Sequence, residues 1–120
     1  GNVALNIAAL GGAATLIGVV GADATAKDLS SRLAAAGVRC EFLESADKPT
    51  ITKLRVISQH QQLLRMDFEQ QLEAADVAGL DARFEAVLDN AQVVIISDYA
   101  KGALQDVPSL IKAAWAKGSR

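Results

Sequence analysis

Two groups of residues in this 120-residue chain have the types and spacing to do chemistry. The first is Asp98-Tyr99-Ala100-Lys101-Gly102, a charged, flexible loop just past the apolar run Val93-Val94-Ile95-Ile96. A continuous run of that kind suits a strand buried on both faces of a parallel sheet, and open α/β sheets bind ligands beyond the carboxyl ends of such strands. Position therefore makes the loop a candidate ligand contact; the plainer reading has Asp98 capping the next turn and Lys101 solvated. The second group is Lys53, Arg55 and Arg65. Lys53 and Arg55 alternate with Leu54 and Val56, and Arg65 and Asp67 alternate with Leu64, Met66 and Phe68, so three cations share one strand-pair face with one acid. That face offers cationic donors, or it is a solvated outer face on which Lys53 merely pairs with Asp67, worth roughly 0 to 1 kcal/mol.

Other chemical signals are weak. Gly18-Val19-Val20-Gly21 is not G-x-G-x-x-G, and Lys101-Gly102 reverses the glycine–lysine order of a Walker loop. His60, the one histidine, sits in a predicted turn and is a poor base or metal ligand there. Cys40, the one cysteine, is a strand residue with Arg39 on the opposite face.

The elements that position these residues follow from periodicity. Val3, Ile7 and Leu10 lie at helical spacing behind Asn2, a good N-cap, and Gly11-Gly12 stop that helix before an apolar run from Ala14 to Val20 that suits a buried strand. Asp23 or Thr25 caps a second helix with a face of Ala26, Leu29, Leu33 and Ala36, closed by Gly37 and followed by a strand from Val38 to Leu43. Thr50 to Phe68 then changes to alternation, which predicts two half-exposed strands. A three-residue turn, Gln59-His60-Gln61, pairs Ser58 with Gln62, Val56 with Leu64, Leu54 with Met66 and Lys53 with Asp67. Val77, Leu80, Phe84, Val87 and Leu88 form a helical stripe before a strand at Gln92 to Ser97. A last helix starts near Asp106, tolerates Pro108, buries Leu110, Ile111, Ala114 and Trp115, and ends at Gly118. Helix and strand alternate as in a doubly wound α/β sheet, and both termini read as cuts through a larger domain.

Composition bounds the partners. Hydrophobic residues make up 51% and aromatic ones 4%, which suits small aliphatic packing of helices on a parallel sheet, and 12 basic against 14 acidic residues leave no electrostatic footprint for nucleic acid or an anionic membrane. The uncharged stretch Val3 to Ala22 has membrane-spanning length, but its four glycines make it a helix plus a strand. One cysteine excludes an internal disulfide framework and points to a cytoplasmic compartment.

Asn2, Ala4, Gly11 and Gly21 have the spacing Asn-x-Ala, six residues, Gly, nine residues, Gly, which resembles the first signature of the ribokinase-like (carbohydrate kinase) family. Within it, the segments Pro49 to Val56, Gln61 to Glu69 and Ser97 to Leu104 resemble the bacterial heptose 7-phosphate kinases that are joined to a heptose 1-phosphate adenylyltransferase. The resemblance covers essentially the whole chain. It implies a doubly wound ribokinase-like parallel sheet with an antiparallel β lid, residues 38–69 containing the lid strands. It implies an internal fragment of one sugar-kinase domain, lacking the first strand and the nucleotide and catalytic part, and therefore inactive alone. Asn2 matches the family's sugar-contacting asparagine, although the two glycines that precede it there are absent, and Asp98, Tyr99, Lys101 and Gly102 match the loop beside the acceptor. Lys53, Arg55 and Arg65 are candidates to hold the acceptor's phosphate, with arginine favoured for bidentate contact. ATP with Mg is the implied cofactor, its binding residues mostly outside this chain. The implied partners are a sugar phosphate and a second copy through the lid, with no nucleic acid and no membrane. The alternatives are another ribokinase-like kinase, acting on ribose, fructose phosphate or a nucleoside, or a non-catalytic αβ module that self-associates through the strand pair.

Overall fold

The computed structural model describes residues 1–98 and 100–120. Helix α1 spans Asn2–Ala9, strand β1 Ala14–Gly21, helix α2 Ala24–Ala35 and strand β2 Val38–Ser45. Strands β3 (Thr52–Ser58) and β4 (Gln61–Phe68) follow, then helices α3 (Leu80–Leu88) and α4 (Val107–Ala116). β1 and β2 form a parallel ladder in register from Ala14–Val38 to Gly21–Ser45. Because successive side chains of a strand point to opposite faces, β1 is covered twice. Leu16, with Ala14, Cys40 and Phe42, packs beneath α1 and α2 around buried Ala4, Leu33 and Val38. Ile17, on the other face, packs beneath α3 and α4 around Phe84, Leu88 and Ala114. Helices on both faces of a parallel pair are the doubly wound arrangement that the alternation predicts.

Local chemistry explains most boundaries. Asp23 caps α2, accepting from the Ala26 amide at 2.8 Å, and Gly37 leaves the helix at φ +81°. Asp106 caps α4 through the Ser109 amide at 3.1 Å, with Pro108 in the first turn. At α1 the expectation fails: Gly1 is the cap residue and Asn2 the first helical one, with the Gly1 carbonyl accepting from Leu5. The stretch Val3 to Ala22 is a helix and a strand, and no helix among the described residues is long and apolar enough to cross a membrane.

The β3–β4 ribbon has the expected side-chain register but a different turn. Leu54 faces Met66, Val56 faces Leu64 and Lys53 faces Asp67, yet Ser58 pairs with Gln61 across a two-residue turn. Gln59 and His60 both have positive φ, 46° and 66°, a combination whose twist matches that of paired strands. The odd residue is absorbed between Val56 and Ile57, where Leu63 is left without a partner as a bulge, and the faces are restored beyond it. A radius of gyration of 15.6 Å exceeds the roughly 14 Å of a compact chain this long, as fits a ribbon that packs mainly on itself.

Two further expectations are corrected. Gln92 to Ser97 joins no ladder; its backbone bonds run to Arg120, with Val94 donating to the Arg120 carbonyl at 2.7 Å and Arg120 to Gln92 at 3.0 Å. Val94 and Ile96 are half-buried whereas Val93 and Ile95 are about 60% exposed. The run is therefore covered on one face and not two, because helices cover one side and no strand pairs with it to build a second. Trp115 is 71% exposed rather than in the core, because α4 turns Ala114 and not its neighbour toward α3.

Candidate functional site

The carboxyl edge of the β1–β2 pair is where the chain leaves for the ribbon. Gly11, at φ +85°, and Gly12 reverse the chain between α1 and β1, so α1 runs back beside β1 with Ala4 in the cluster that holds Val38. β2 ends at the carboxyl edge at Ser45, and the connection that follows lifts the chain into the ribbon. On the opposite flank, the apolar run ends at Ser97 and leads into the Asp98 loop.

What holds the ribbon at this edge is a buried polar node around Thr50, which is only 6% exposed. Asp23 Oδ2 accepts the Thr50 amide and Oδ1 accepts the Thr50 hydroxyl, both at 2.8 Å, while Oδ1 also caps α2. The Thr50 hydroxyl in turn accepts from the Gly21 amide at 2.9 Å. The Thr50 and Ala26 amides, aided by the Thr50 hydroxyl, hold the Asp23 carboxyl below the usual carboxylate range. A side chain at Gly21 would come within 2.6 Å of the Lys48 carbonyl and 2.7 Å of the Thr50 amide, so glycine there lets the connection close onto the end of β1. Ser45, also buried, donates to Asp76 at 2.5 Å and accepts from the Lys48 amide at 3.2 Å, which fixes the other side of the connection.

The cationic residues form a chain of charges. Arg65 grips Asp67 with Nε at 2.9 Å and Nη2 at 2.7 Å; Lys53 reaches Asp67 at 3.3 Å and Glu69 at 3.6 Å; Lys101 reaches Glu69 at 2.5 Å. Arg65, and then Lys53, hold the Asp67 carboxyl down to about 2, and Lys101 with Lys53 lowers that of Glu69. The Arg65 guanidinium is raised by the Asp67 hydrogen bond. Three cations thus share two carboxylates. Arg55 lies across from Arg65 in the ladder and, among the described residues, has no carboxylate within ion-pair distance. Arg55 thus adds an unshared charge to the one already left over among three cations and two carboxylates, while the planar fork of Arg65 is already engaged.

The Asp98 loop is tied to the ribbon's return. Lys101 accepts from the Leu72 amide at 3.0 Å through its carbonyl, besides its ammonium bond to Glu69. Gly102 has φ +88°, and any side chain there would collide with the Leu72 backbone, so its contribution is the close approach of two loops. Asp98 accepts from the Ala100 amide at 2.8 Å, the local turn that its plainer reading anticipates. Tyr99 lies outside the described residues. Asn2 is exposed at the start of α1 and takes no part in the chain of charges. The structure thus joins Lys53, Arg65, Lys101 and Gly102 through bonded neighbours and leaves Asn2 and Arg55 outside them. Sequence reasoning missed Glu69, the acid between ribbon and loop, and the Gly21–Asp23–Thr50 node. Gly21-Ala22-Asp23 was a usable signal, since a capping aspartate spends one oxygen on its helix and keeps the other for a distant partner. Among the described residues no three or more His, Cys, Asp or Glu side chains are grouped to hold a metal ion.

A parallel pair with helices on both faces, a two-stranded flap rising from its carboxyl edge and an Asn-x-Ala…Gly…Gly signature together define a sugar-kinase type of fold. The chain belongs to the pfkB family of carbohydrate kinases, whose description matches residues 1–118. It is 58% identical over 117 residues to the bifunctional protein HldE of Azotobacter vinelandii and 56% identical to that of Pseudomonas putida strain W619. Each match covers 98% of this chain and 24% of the relative, so the chain spans about a quarter of the length of these relatives. Among solved structures, phosphofructokinase-2 from Escherichia coli in complex with fructose-6-phosphate is 29% identical with a TM-score of 0.67, covering 99% of this chain and 40% of that one. The tetrameric inhibited form of the same enzyme gives 28% and 0.68.

Proposed function

We propose that this chain is part of a cytoplasmic, ATP- and Mg-dependent kinase that phosphorylates D-glycero-D-manno-heptose 7-phosphate at its anomeric oxygen. The whole protein would carry an adenylyltransferase that converts the product to ADP-heptose for the lipopolysaccharide core. The observation that carries this reading is the 58% identity, spread over 98% of the chain, to a protein named as bifunctional HldE. The likeness to a phosphofructokinase solved with fructose-6-phosphate supports an acceptor that already bears a phosphate.

On this reading the chain supplies the acceptor side. Asn2, Asp98, Lys101 and Gly102 are assigned to the sugar on the family resemblance, with the ribbon as its cover, and Tyr99 is assigned there on the resemblance alone. Arg55 meets the acceptor phosphate first, because its guanidinium is not spent on a carboxylate; Lys53 and Arg65 follow by exchanging Asp67 for phosphate oxygens. ATP, when bound, supplies the phosphoryl group. The proton-accepting aspartate and the donors for nucleotide and metal are assigned, on the family resemblance, to residues outside these 120. The ribbon's apolar face, with Leu54, Val56, Leu64 and Phe68 exposed, supports pairing with a second copy.

The test is phosphorylation by the full-length gene product offered heptose 7-phosphate, fructose 6-phosphate and ribose with ATP and Mg. A preference for heptose 7-phosphate with an anomeric phosphate product is expected; turnover of fructose 6-phosphate alone would select the alternative kinase, and no turnover would favour the self-association module. Arg55→Ala should raise the acceptor KM at least about tenfold, the net worth of one charge-assisted contact, and an unchanged KM would remove Arg55 from the phosphate.

A further inference from the structure

We infer that Thr50 is a positioning residue that sets the ribbon's elevation above the acceptor edge. This rests on the acceptor-kinase reading but draws on a different part of the molecule. The ribbon has two legs. At its entry, buried Thr50 makes three hydrogen bonds that reach the last residue of β1 and the cap of α2 at once, the one to Gly21 buried and the two to Asp23 part-buried. At its return, the part-exposed Glu69–Lys101 ion pair holds it, with the Leu72 amide donating to the Lys101 carbonyl at 3.0 Å a few residues further on. Between the legs the ribbon packs mainly on itself.

Lever geometry makes the entry leg decisive. Ladder pairing begins at Thr52, two residues past Thr50, and a seven-residue strand is about 23 Å long. A tilt of about 10° at Thr50 would then move the turn, about 30 Å along, by about 5 Å and Arg55, about 16 Å along, by about 3 Å, enough to break a hydrogen bond to a ligand. The return leg resists such a tilt less, since its ion pair is solvent-facing, screened and adaptable, and its backbone bond at Leu72 lies four residues past the last ladder residue, Phe68. Thr50 touches no acceptor in this arrangement. Its hydroxyl is nonetheless required, because it donates to Asp23 and accepts from Gly21 in the same place, which valine, of nearly the same shape, cannot do.

The experiment compares Thr50→Val and Thr50→Ser in the full-length protein, with the wild type alongside. Two readouts are taken: the KM for acceptor and for ATP, and the distance distribution between nitroxide labels at Gln59 and Ser31, with Cys40 and any other reactive cysteine replaced. Thr50→Val should raise the acceptor KM about tenfold, the factor expected for one lost hydrogen bond to a charged group, leave the ATP KM unaltered and broaden the distances. Thr50→Ser should behave as wild type. If Thr50→Val folds poorly, Asp23→Asn carries the same test, because asparagine still caps α2 but cannot accept the Thr50 amide on its nitrogen. Unchanged acceptor KM and unchanged distances would overturn the inference. So would a loss of thermal stability that weakens both substrates equally and is not restored by serine. Should the wild type phosphorylate no sugar phosphate, the functional reading fails by itself, and the distance distributions alone decide the role of Thr50.

Discussion

The two strand pairs of this molecule solve the same problem by opposite means. β1 and β2 are parallel, lie between helix layers and are held by burial: Leu33 and Val38 are almost wholly covered, and Ile17 meets a second cluster on the other face. β3 and β4 are antiparallel, with neither face covered, and are held by a two-residue turn, a bulge and a row of ion pairs. The first arrangement is rigid because moving a strand would open voids in a close-packed interior. The second can move as a unit, because its own contacts travel with it and only its two legs connect it to the rest. In the function proposed above, such a scaffold and cover side by side would let a site admit and then enclose its acceptor.

The sharpest way to break this contrast is to truncate one leucine in the helix layer that covers the first pair, Leu33 of α2, and one on the second pair. Leu33→Ala should destabilise the protein by about 2 to 5 kcal/mol, the cost of a cavity in a closed core, whereas Leu64→Ala, at an exposed position, should cost less than about 1 kcal/mol. Chemical denaturation reads both, and equal costs would mean that the ribbon is packed in solution against something, a second copy being the first candidate. A medium effect is expected from acid. Asp67 titrates in the folded protein near 2, below its ordinary 3.8, so its contribution is complete above the ordinary value and is lost as pH falls through about 2. The carboxyl carbon shift of Asp67, followed by NMR, should report that midpoint, and Arg65→Ala should move it up toward the ordinary value; a midpoint indifferent to Arg65 would dissolve the charge chain. The smallest change is at the turn. Replacing Gln59-His60 by Asn-Gly, which adopts positive φ readily, should stabilise the ribbon by about 0.5 to 1 kcal/mol, measurable as slower amide exchange at Val56 and Leu64.

Periodicity and capping made much of the fold legible. Asp23, one of two cap candidates, caps α2, α4 begins at Asp106 where a helix start was expected, Gly37 ends α2, and the parity of Leu54 to Phe68 determined which residues share a face. Local reading failed where a local rule had two solutions. The ribbon reaches one register either by a three-residue turn or by a two-residue turn plus a bulge, and backbone twist, not side-chain pattern, selects the second. Gln92 to Ser97 has a strand's composition, but a strand exists only when a neighbour accepts its bonds, and here they go to Arg120. The buried face expected for the last helix includes Trp115, whereas the helix presents Ala114 to α3. Of the site, the cationic face was visible from alternation; the linking role of Glu69 was not, since it depends on how far the Asp98 loop lies from the ribbon's return, and alternation alone did not say that Asp67 is held by its same-strand neighbour Arg65 as well as by Lys53.

By itself the order of residues determined the helix and strand types, the faces they bury and the family signature, because these arise from steric and solvation preferences acting over a few neighbours. Only tertiary structure decided that Thr50 sits under Gly21 and Asp23, that Lys101 meets Glu69, and that Arg55 keeps its charge unshared. Those contacts join residues 27 to 32 positions apart, and no local preference encodes a meeting at that separation.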